Sequence, residues 1–139
     1  MPQYGTLEWM ETLRDRLNDS KEFKRAARGW NASLLYEILP EGGFEKDALL
    51  GLRVEDGAVV EVWEGEPASA CDYRITAPYG VFRAMNKGEL NAVKAIVARK
   101  LKMKGNPTRL LRDSRPVNAL QAVAVEMAKD GTSEWVDGS

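Results

Sequence analysis

Residues 100–106 read Lys-Leu-Lys-Met-Lys-Gly-Asn, and this stretch decides how the second half of the chain is interpreted. Leu101 and Met103 alternate with three lysines, which is the period expected of a strand with one buried face. Lysines along the other face are typical of an edge strand protected against pairing with a second sheet. The Gly-Asn-Pro at 105–107 then predicts a turn, a helix cap and the first residue of a helix.

Helices are predicted on both sides of this strand. Downstream, residues 117–127 carry an apolar stripe with the period of a helix. Pro116 is expected to interrupt or kink the helical structure at this point. Upstream, Asn91 is a suitable cap for one short helix, and Pro78 fits the first position of another.

The first half of the chain predicts two helices and then a meander of strands. Thr6 is the expected cap of the first helix, and Phe23 lies on the apolar side of the second, which Gly29 ends. The Asp-Gly pair at 56–57 is typical of a hairpin turn. Alternating apolar residues predict strands over residues 30–39, 50–54, 60–62 and 71–76.

This order of elements indicates an α+β fold, with helices packed on one face of a single sheet. A chain of 139 residues has the size of one domain. We expect that domain to cover residues 1–129, and we expect residues 130–139 to form a flexible tail.

The composition excludes several classes of chemistry. There is no histidine, which removes histidine-based catalytic triads and histidine metal sites. The single cysteine, Cys71, cannot form a disulfide within the chain; it is expected inside the fourth strand as a small buried residue. Neither a P-loop nor a dinucleotide-binding glycine motif occurs. We therefore expect no catalytic residue, no metal and no cofactor, and a small enzyme is the least favoured hypothesis.

Charge is unevenly distributed along the chain. Twenty basic and 21 acidic residues give a net charge of −1, which argues against nucleic acid as a partner. Residues 99–115 nevertheless hold seven cations and one acid. One interpretation is an edge strand with solvated lysines; the other is a surface for an anionic headgroup or an anionic membrane. The candidate residues for that contact are Lys100, Lys102, Lys104, Asn106 and Arg109.

The N-terminus has neither the basic start nor the apolar run of a signal peptide, and no window has the length and hydropathy of a membrane span. The expectation is a soluble cytoplasmic protein.

Over residues 7–128 the sequence resembles the sterol carrier protein 2 domain family. The resemblance is carried by residues 100–106, by Leu17-Asn18 leading into the Phe23 helix and Gly29-Trp30, and by the segment from Thr76 to Asn91. It implies a five-stranded, mainly antiparallel sheet covered by helices on one face, with an apolar tunnel between the layers. Members of the family bind sterols, fatty acids, acyl-CoA and isoprenoid lipids.

Inward-facing apolar residues either fill a core or, as the resemblance implies, line the tunnel. The candidates for the lining are Leu34, Tyr36, Leu50, Leu52, Val60, Val62, Tyr73, Ile75, Phe82, Met85, Ile96, Leu101, Met103, Leu110, Leu120, Val123 and Met127. The resulting hypothesis is a non-enzymatic protein that binds, and transfers, one apolar lipid: a fatty acyl chain, an acyl-CoA, an isoprenoid or a sterol-like molecule.

Trp63 motivates a second hypothesis. It lies out of phase with Val60 and Val62, which are expected to point inward. A large indole on the outer face of a sheet is typical of contact with another subunit. The alternative is therefore a dimer-forming accessory module for a lipid-modifying enzyme, with a homodimer as its assembly.

Overall fold

The computed structural model describes residues 1–136 of the chain. Over these residues six helices and five strands follow one another as α1 Leu7–Asp19, α2 Lys21–Ala26, β1 Ala32–Leu39, β2 Ala48–Glu55, β3 Ala58–Glu64, β4 Tyr73–Pro78, α3 Tyr79–Asn86, α4 Ala92–Val97, β5 Lys102–Lys104, α5 Pro107–Arg112 and α6 Ser114–Lys129.

The strands form one mixed sheet in the order β3-β2-β1-β4-β5. β1 pairs with β4 in parallel, whereas the β1–β2, β2–β3 and β4–β5 pairs are antiparallel. Apolar side chains from the helices and from one face of the sheet form a continuous core. The predicted α+β architecture, with five strands and a mainly antiparallel sheet, is confirmed.

Short polar side chains fix the starts of four helices, because each accepts a hydrogen bond from the backbone N–H three residues later. The four caps are Thr6, Ser20, Asn91 and Asn106. The β2–β3 hairpin turns at Asp56 and Gly57, where φ is 49° and 78°. Two consecutive left-handed residues match the right-handed twist of the flanking strands, which is why Asp-Gly predicted this turn.

A bulge in the β2–β3 ladder corrects the predicted orientation of Val60. The register shifts between Arg53 and Val54, so that Val54 pairs with Val59 while Arg53 pairs with Glu61. The extra residue leaves Val60 49% exposed instead of inward-facing, and Val59 takes its place in the core.

Two further strand boundaries differ from the prediction. β5 contains only Lys102–Lys104, so Lys100 and Leu101 precede it. β4 begins at Tyr73, which leaves Cys71 half-buried in the preceding loop and outside the strand.

Residues 130–136, which the sequence predicts to belong to a flexible tail, pack against the start of the chain. Trp135 is only 7% exposed, and Glu134 forms a parallel bridge with Gln3. The Trp9 indole Nε1 donates a 2.8 Å hydrogen bond to Ser133 Oγ. These contacts bury the segment against the start of the chain. Residues 137–139, the rest of the predicted tail, lie outside the described residues.

Trp63 packs within its own chain. It pairs with Gly51, which in turn pairs with Leu35 on β1. A side chain at position 51 would overlap the six-membered ring of the Trp63 indole, so the indole lies directly over the glycine. Leu35 is only 2% exposed although it faces away from the helices. A second subunit is therefore not needed to explain the tryptophan.

Candidate functional site

A small cavity of about 50 Å³ lies between the inner face of the sheet and the helices. Every helix except α2 contributes to its wall, as do β1, β2 and β4. The lining residues are Tyr4, Trp9, Met10, Leu13, Leu34, Tyr36, Ile38, Leu50, Ile75, Phe82, Met85, Asn86, Ala92, Ile96, Leu101, Leu110, Val117, Leu120, Gln121 and Ala124.

The structure brings many of the predicted lining residues together at this cavity. Those that line it are Leu34, Tyr36, Leu50, Ile75, Phe82, Met85, Ile96, Leu101, Leu110 and Leu120. Leu52, Tyr73, Val123 and Met127 are instead buried in the surrounding core, and Val62 and Met103 are half-buried against it. Val60, at 49% exposed, is the most exposed of the predicted lining residues in the described part of the chain, because of the bulge.

The first helix contributes residues to the cavity that were not predicted from the sequence. Met10 and Leu13 of α1 line the cavity together with Tyr4 and Trp9. The apolar stripe of α1 predicted that this helix is buried, but helical periodicity contains no information on which buried residues border an empty space.

Gln121 fixes the wall formed by α3, α4 and α6. Its side-chain Nε2 donates to the carbonyl oxygens of Met85 (3.0 Å) and Leu90 (2.8 Å), and its Oε1 accepts from the Ala92 N–H at 2.8 Å. The three bonds go to the end of α3, to the connection and to the start of α4, so one α6 side chain holds these segments together.

The other polar groups of the lining are Tyr4, Tyr36 and Asn86. Burial is the largest cause that raises the pKa of the Tyr4 hydroxyl, with a further contribution from nearby Tyr36; Asn86 acts in the opposite direction. Burial also raises the pKa of the Tyr36 hydroxyl. Both phenols are therefore neutral at physiological pH, and Tyr36 and Asn86 both lie near enough to Tyr4 to influence its hydroxyl.

Aromatic rings close the cavity beside Tyr4. The Tyr4 ring centroid lies 4.7 Å from that of Trp9 and 5.3 Å from that of Trp135. The Tyr79 ring centroid lies 6.0 Å from that of Tyr4. The Tyr79 ring also stacks on Phe44, with 4.6 Å between the two centroids. The docked C-terminal segment therefore packs behind Tyr4, which lines the cavity.

The loop between β1 and β2 holds the start of α3. Glu41 Oε1 accepts a 2.7 Å hydrogen bond from the Gly80 N–H, in the first turn of that helix. A carboxylate at this position both satisfies a free backbone donor and complements the positive end of the helix dipole. This loop also supplies Phe44, the ring that supports Tyr79.

The lysines of β5 lie on the opposite side of the sheet from the cavity. Lys102 pairs with Thr76 and Lys104 with Arg74, all on the outer face, whereas Leu101 points inward and lines the cavity. Lys100 is exposed just before the strand. These lysines are accessible to a charged surface, but the described structure does not place them at the cavity.

Asn106 and Arg109, two further candidates for headgroup contact, are engaged in structural bonds. Asn106 caps α5 by accepting from the Arg109 N–H. The Arg109 guanidinium pairs with Asp72 at 2.9 Å, donates to the Asn31 carbonyl at 2.6 Å and lies 3.4 Å from Asp113. Arg109 therefore ties α5 to the β1–β4 end of the sheet.

Residues 1–136 contain no group of three or more histidine, cysteine, aspartate or glutamate side chains arranged to hold a metal ion. None of the helices in the described part of the chain combines the length and the hydropathy needed to cross a bilayer.

Comparison with solved structures shows the same fold. A crystal structure of sterol carrier protein 2 superposes with a TM-score of 0.80 at 25% identity, covering 88% of this chain and 98% of that one. The solution structure of a conserved hypothetical protein from Thermus thermophilus gives 0.79 at 24% identity and covers 87% of both chains. A structure described as UbiJ-SCP2, a ubiquinone synthesis protein, gives 0.54 at 22% identity, covering 85% of this chain and 94% of that one.

No curated protein matches the sequence. The family model described as the SCP-2 sterol transfer family matches residues 10–113. The matched region includes all five strands and the helices α2 to α5, together with most of α1. The chain therefore belongs to the SCP-2 sterol transfer family.

Proposed function

We propose that this protein binds one apolar lipid in the cavity between sheet and helices and transfers it without chemical change. Family membership supports binding of an apolar lipid. The observation that carries the proposal for this chain is the lining of the cavity, which is almost entirely aliphatic and aromatic and contains no ionisable side chain other than tyrosine.

The size of the cavity sets a condition on binding. An apolar cavity of about 150 Å³ holds one benzene molecule, whereas this one measures about 50 Å³. A lipid chain therefore has to move the helices away from the sheet as it enters. The short helices α4 and α5, of six residues each, are the parts of the wall with the least surface to hold them in place.

Burial of the chain supplies the energy for this opening. Each methylene removed from water contributes about 0.8 kcal/mol, so a long acyl chain gains on the order of 10 kcal/mol before costs. Ordering the chain and separating the layers consume much of that gain, which leaves dissociation constants in the micromolar to nanomolar range.

A cavity-filling substitution tests the proposal. Ala124 lines the cavity and is buried, whereas Ala122 lies on the exposed side of the same helix. With a neutral solvatochromic dye as probe, Ala124→Phe is expected to weaken uptake at least tenfold and Ala122→Phe to leave it unchanged. Native mass spectrometry of the wild-type protein should show a co-purified lipid that Ala124→Phe lacks. Absence of both dye uptake and bound lipid in the wild-type protein would overturn the proposal.

Delivery to an anionic membrane forms the second part of the proposal. Lys100, Lys102 and Lys104 are exposed, and cations near an anionic bilayer contribute about 1 kcal/mol each. We infer that they contribute to the encounter with the membrane, and that they do not hold the bound lipid, because Lys102 and Lys104 lie on the outer face of the sheet.

An accessory role beside a lipid-modifying enzyme is the second candidate function. The fold likeness to the UbiJ-SCP2 ubiquinone synthesis protein favours it. The tryptophan that motivated a homodimer packs on Gly51 instead. Sedimentation of the wild-type protein tests the dimer directly, and a monomer at micromolar concentration would remove that part of the hypothesis.

A further inference from the structure

The two edges of the sheet carry opposite charge. At the β3 edge, where α1 packs, the exposed side chains of α1 are all acidic, and β3 adds two further acids. These acids are Glu8, Glu11, Asp15, Asp19, Glu61 and Glu64. At the β5 edge, α4, the turn after it, β5 and α5 carry exposed cations, namely Lys94, Arg99, Lys100, Lys102, Lys104 and Arg112.

The cations at the β5 edge are not neutralised by the protein. Within residues 1–136 none of the six forms an ion pair with an acidic side chain. Arg109 differs from them, because it pairs with Asp72 and Asp113. The six charges are therefore available to an anionic surface.

The same edge also exposes large apolar side chains. In the part of the chain that the structure describes, four are exposed, and two of them, Val97 at 66% and Leu111 at 57%, lie on α4 and α5. Each follows a residue that lines the cavity, Ile96 or Leu110. Because consecutive residues of a helix point to different sides, each helix directs one apolar residue towards the cavity and the next towards solvent.

Contacts with α6 place the two helices over one part of the cavity wall. At the start of α4, Asn91 Nδ2 donates to Asn118 Oδ1 at 3.3 Å, and the Ala92 N–H donates to Gln121 Oε1 at 2.8 Å. α5 ends one residue before α6 begins, so it adjoins the same half of α6. Val97 and Leu111 therefore both lie on the outside of this wall.

We propose that the α4–α5 face, defined by Val97, Leu111 and the six cations, docks on an anionic lipid bilayer with both apolar side chains inserted at the bilayer surface. This inference rests on the proposed function and names the surface through which delivery takes place. Apolar side chains bordered by cations are the pattern of interfacial membrane binding. Anionic headgroups attract the β5 edge and repel the acidic α1–β3 edge, so the molecule meets the membrane in one orientation.

The orientation has a consequence for lipid transfer. α4 and α5 are the shortest helices of the cavity wall, and docking by this face brings them against the membrane. A lipid then passes between bilayer and cavity beside these helices without crossing water. Val60, an exposed valine on the acidic strand β3, takes no part in this contact.

The first experiment measures binding to sucrose-loaded vesicles of phosphatidylcholine with about 30% phosphatidylserine. The double variant Val97→Ser, Leu111→Ser keeps every charge, and it should bind at least about tenfold more weakly because two apolar side chains no longer leave water. Val60→Ser is the matched control and should bind like the wild-type protein. Vesicles of phosphatidylcholine alone should bind the wild-type protein at least about tenfold more weakly. A wild-type protein that binds no vesicle would overturn the inference and leave this face to an acidic protein partner.

A second experiment reports the insertion directly. In a Cys71→Ser background, an environment-sensitive fluorophore is attached to Val97→Cys, to Leu111→Cys or to Val60→Cys. Anionic vesicles should shift the emission of the first two labels to the blue and leave the third unchanged. An equal shift at all three positions would contradict the proposed orientation.

Uptake of a neutral solvatochromic dye separates this inference from the proposed function. The serine double variant should take up the dye like the wild-type protein. Equal vesicle binding by the two proteins, with uptake intact, would overturn the docking face and leave the proposed function standing. If the wild-type protein takes up no dye and carries no lipid, the proposed function fails and the inference fails with it.

Discussion

The indole of Trp63 occupies the position that a side chain of Gly51 would take on the neighbouring strand. Gly51 and Trp63 thus form a single packing unit, because the indole needs the space that a side chain at position 51 would occupy. Gly51 pairs in turn with Leu35 on β1, which is buried on the face of the sheet opposite the helices.

Substitutions at this pair are expected to be strongly coupled. Gly51→Ala should destabilise the protein by about 2–4 kcal/mol, because the added methyl group displaces the indole. Trp63→Ala should cost about 1.5–3 kcal/mol through lost apolar burial. In the Trp63→Ala background the effect of Gly51→Ala should nearly vanish. Urea unfolding of the wild-type protein, the two single variants and the double variant measures this coupling. Additive losses of stability would contradict the packing unit.

The docked segment after α6 should contribute to stability. We expect Trp135→Ala to lower the free energy of unfolding by about 3 kcal/mol, because the indole is buried against Tyr4. Val97→Ala is the control, since Val97 is exposed and should have an effect below about 0.5 kcal/mol. A Trp135→Ala variant as stable as the wild-type protein would restore the interpretation of this segment as a loose tail.

We expect Arg109 to affect stability and the lysines of β5 to affect transfer to membranes. Arg109→Met removes the bonds to Asp72 and Asn31, so unfolding in urea should show a loss of about 1–2 kcal/mol with dye affinity unchanged. A loss of dye affinity with intact stability would instead identify Arg109 as a ligand contact.

The double variant Lys102→Glu, Lys104→Glu should keep both stability and dye affinity but slow transfer to anionic vesicles several-fold. Transfer to neutral vesicles is the control and should be unchanged. Equal rates to anionic vesicles in the variant and the wild-type protein would exclude these lysines from the membrane encounter.

Asp130 should make stability depend on pH in the acid range. Hydrogen bonds from Thr132 and Arg16 lower the pKa of the Asp130 carboxyl from 3.8 to about 2. Because the folded state holds the charged form, this contribution is present above about pH 4 and is lost as the pH falls towards 2. Asp130→Asn should therefore melt below the wild-type protein at pH 6, and the two melting temperatures should converge near pH 2. A difference in melting temperature that stays constant between pH 6 and pH 2 would contradict the assignment of this pH dependence to Asp130.

Local signals predicted the elements well. Thr6 and Asn106 each cap a helix through a hydrogen bond to a backbone N–H three residues later, so a window of four residues is enough to predict the cap. The hairpin turn depends on the two residues of the Asp-Gly pair. The errors arose where distant residues decide the outcome. The bulge that exposes Val60 depends on the register with β2, and Trp135 is buried by Tyr4 from the other end of the sequence.

The site was predicted in part for the same reason. Alternation identified Leu34, Tyr36 and Ile75 as inward-facing, and they line the cavity. The polar group formed by Tyr4, Tyr36 and Asn86 joins the N-terminal segment, a central strand and α3, and no pattern within a short window brings these three together. The lysine side chains lie opposite Leu101 and Met103, as the alternation predicted, and their contact with a headgroup or a membrane stays a prediction.

The parallel ladder between β1 and β4 also determines the order of assembly. A short connection joins β1 to β2, whereas the β2–β3 hairpin and a further loop separate β1 from β4 along the chain. Closing the longer loop costs more chain entropy, so the three-stranded meander is expected to form before the sheet is completed. The binding space needs β4 and the later helices as walls, and it is therefore among the last parts of the molecule to exist during folding.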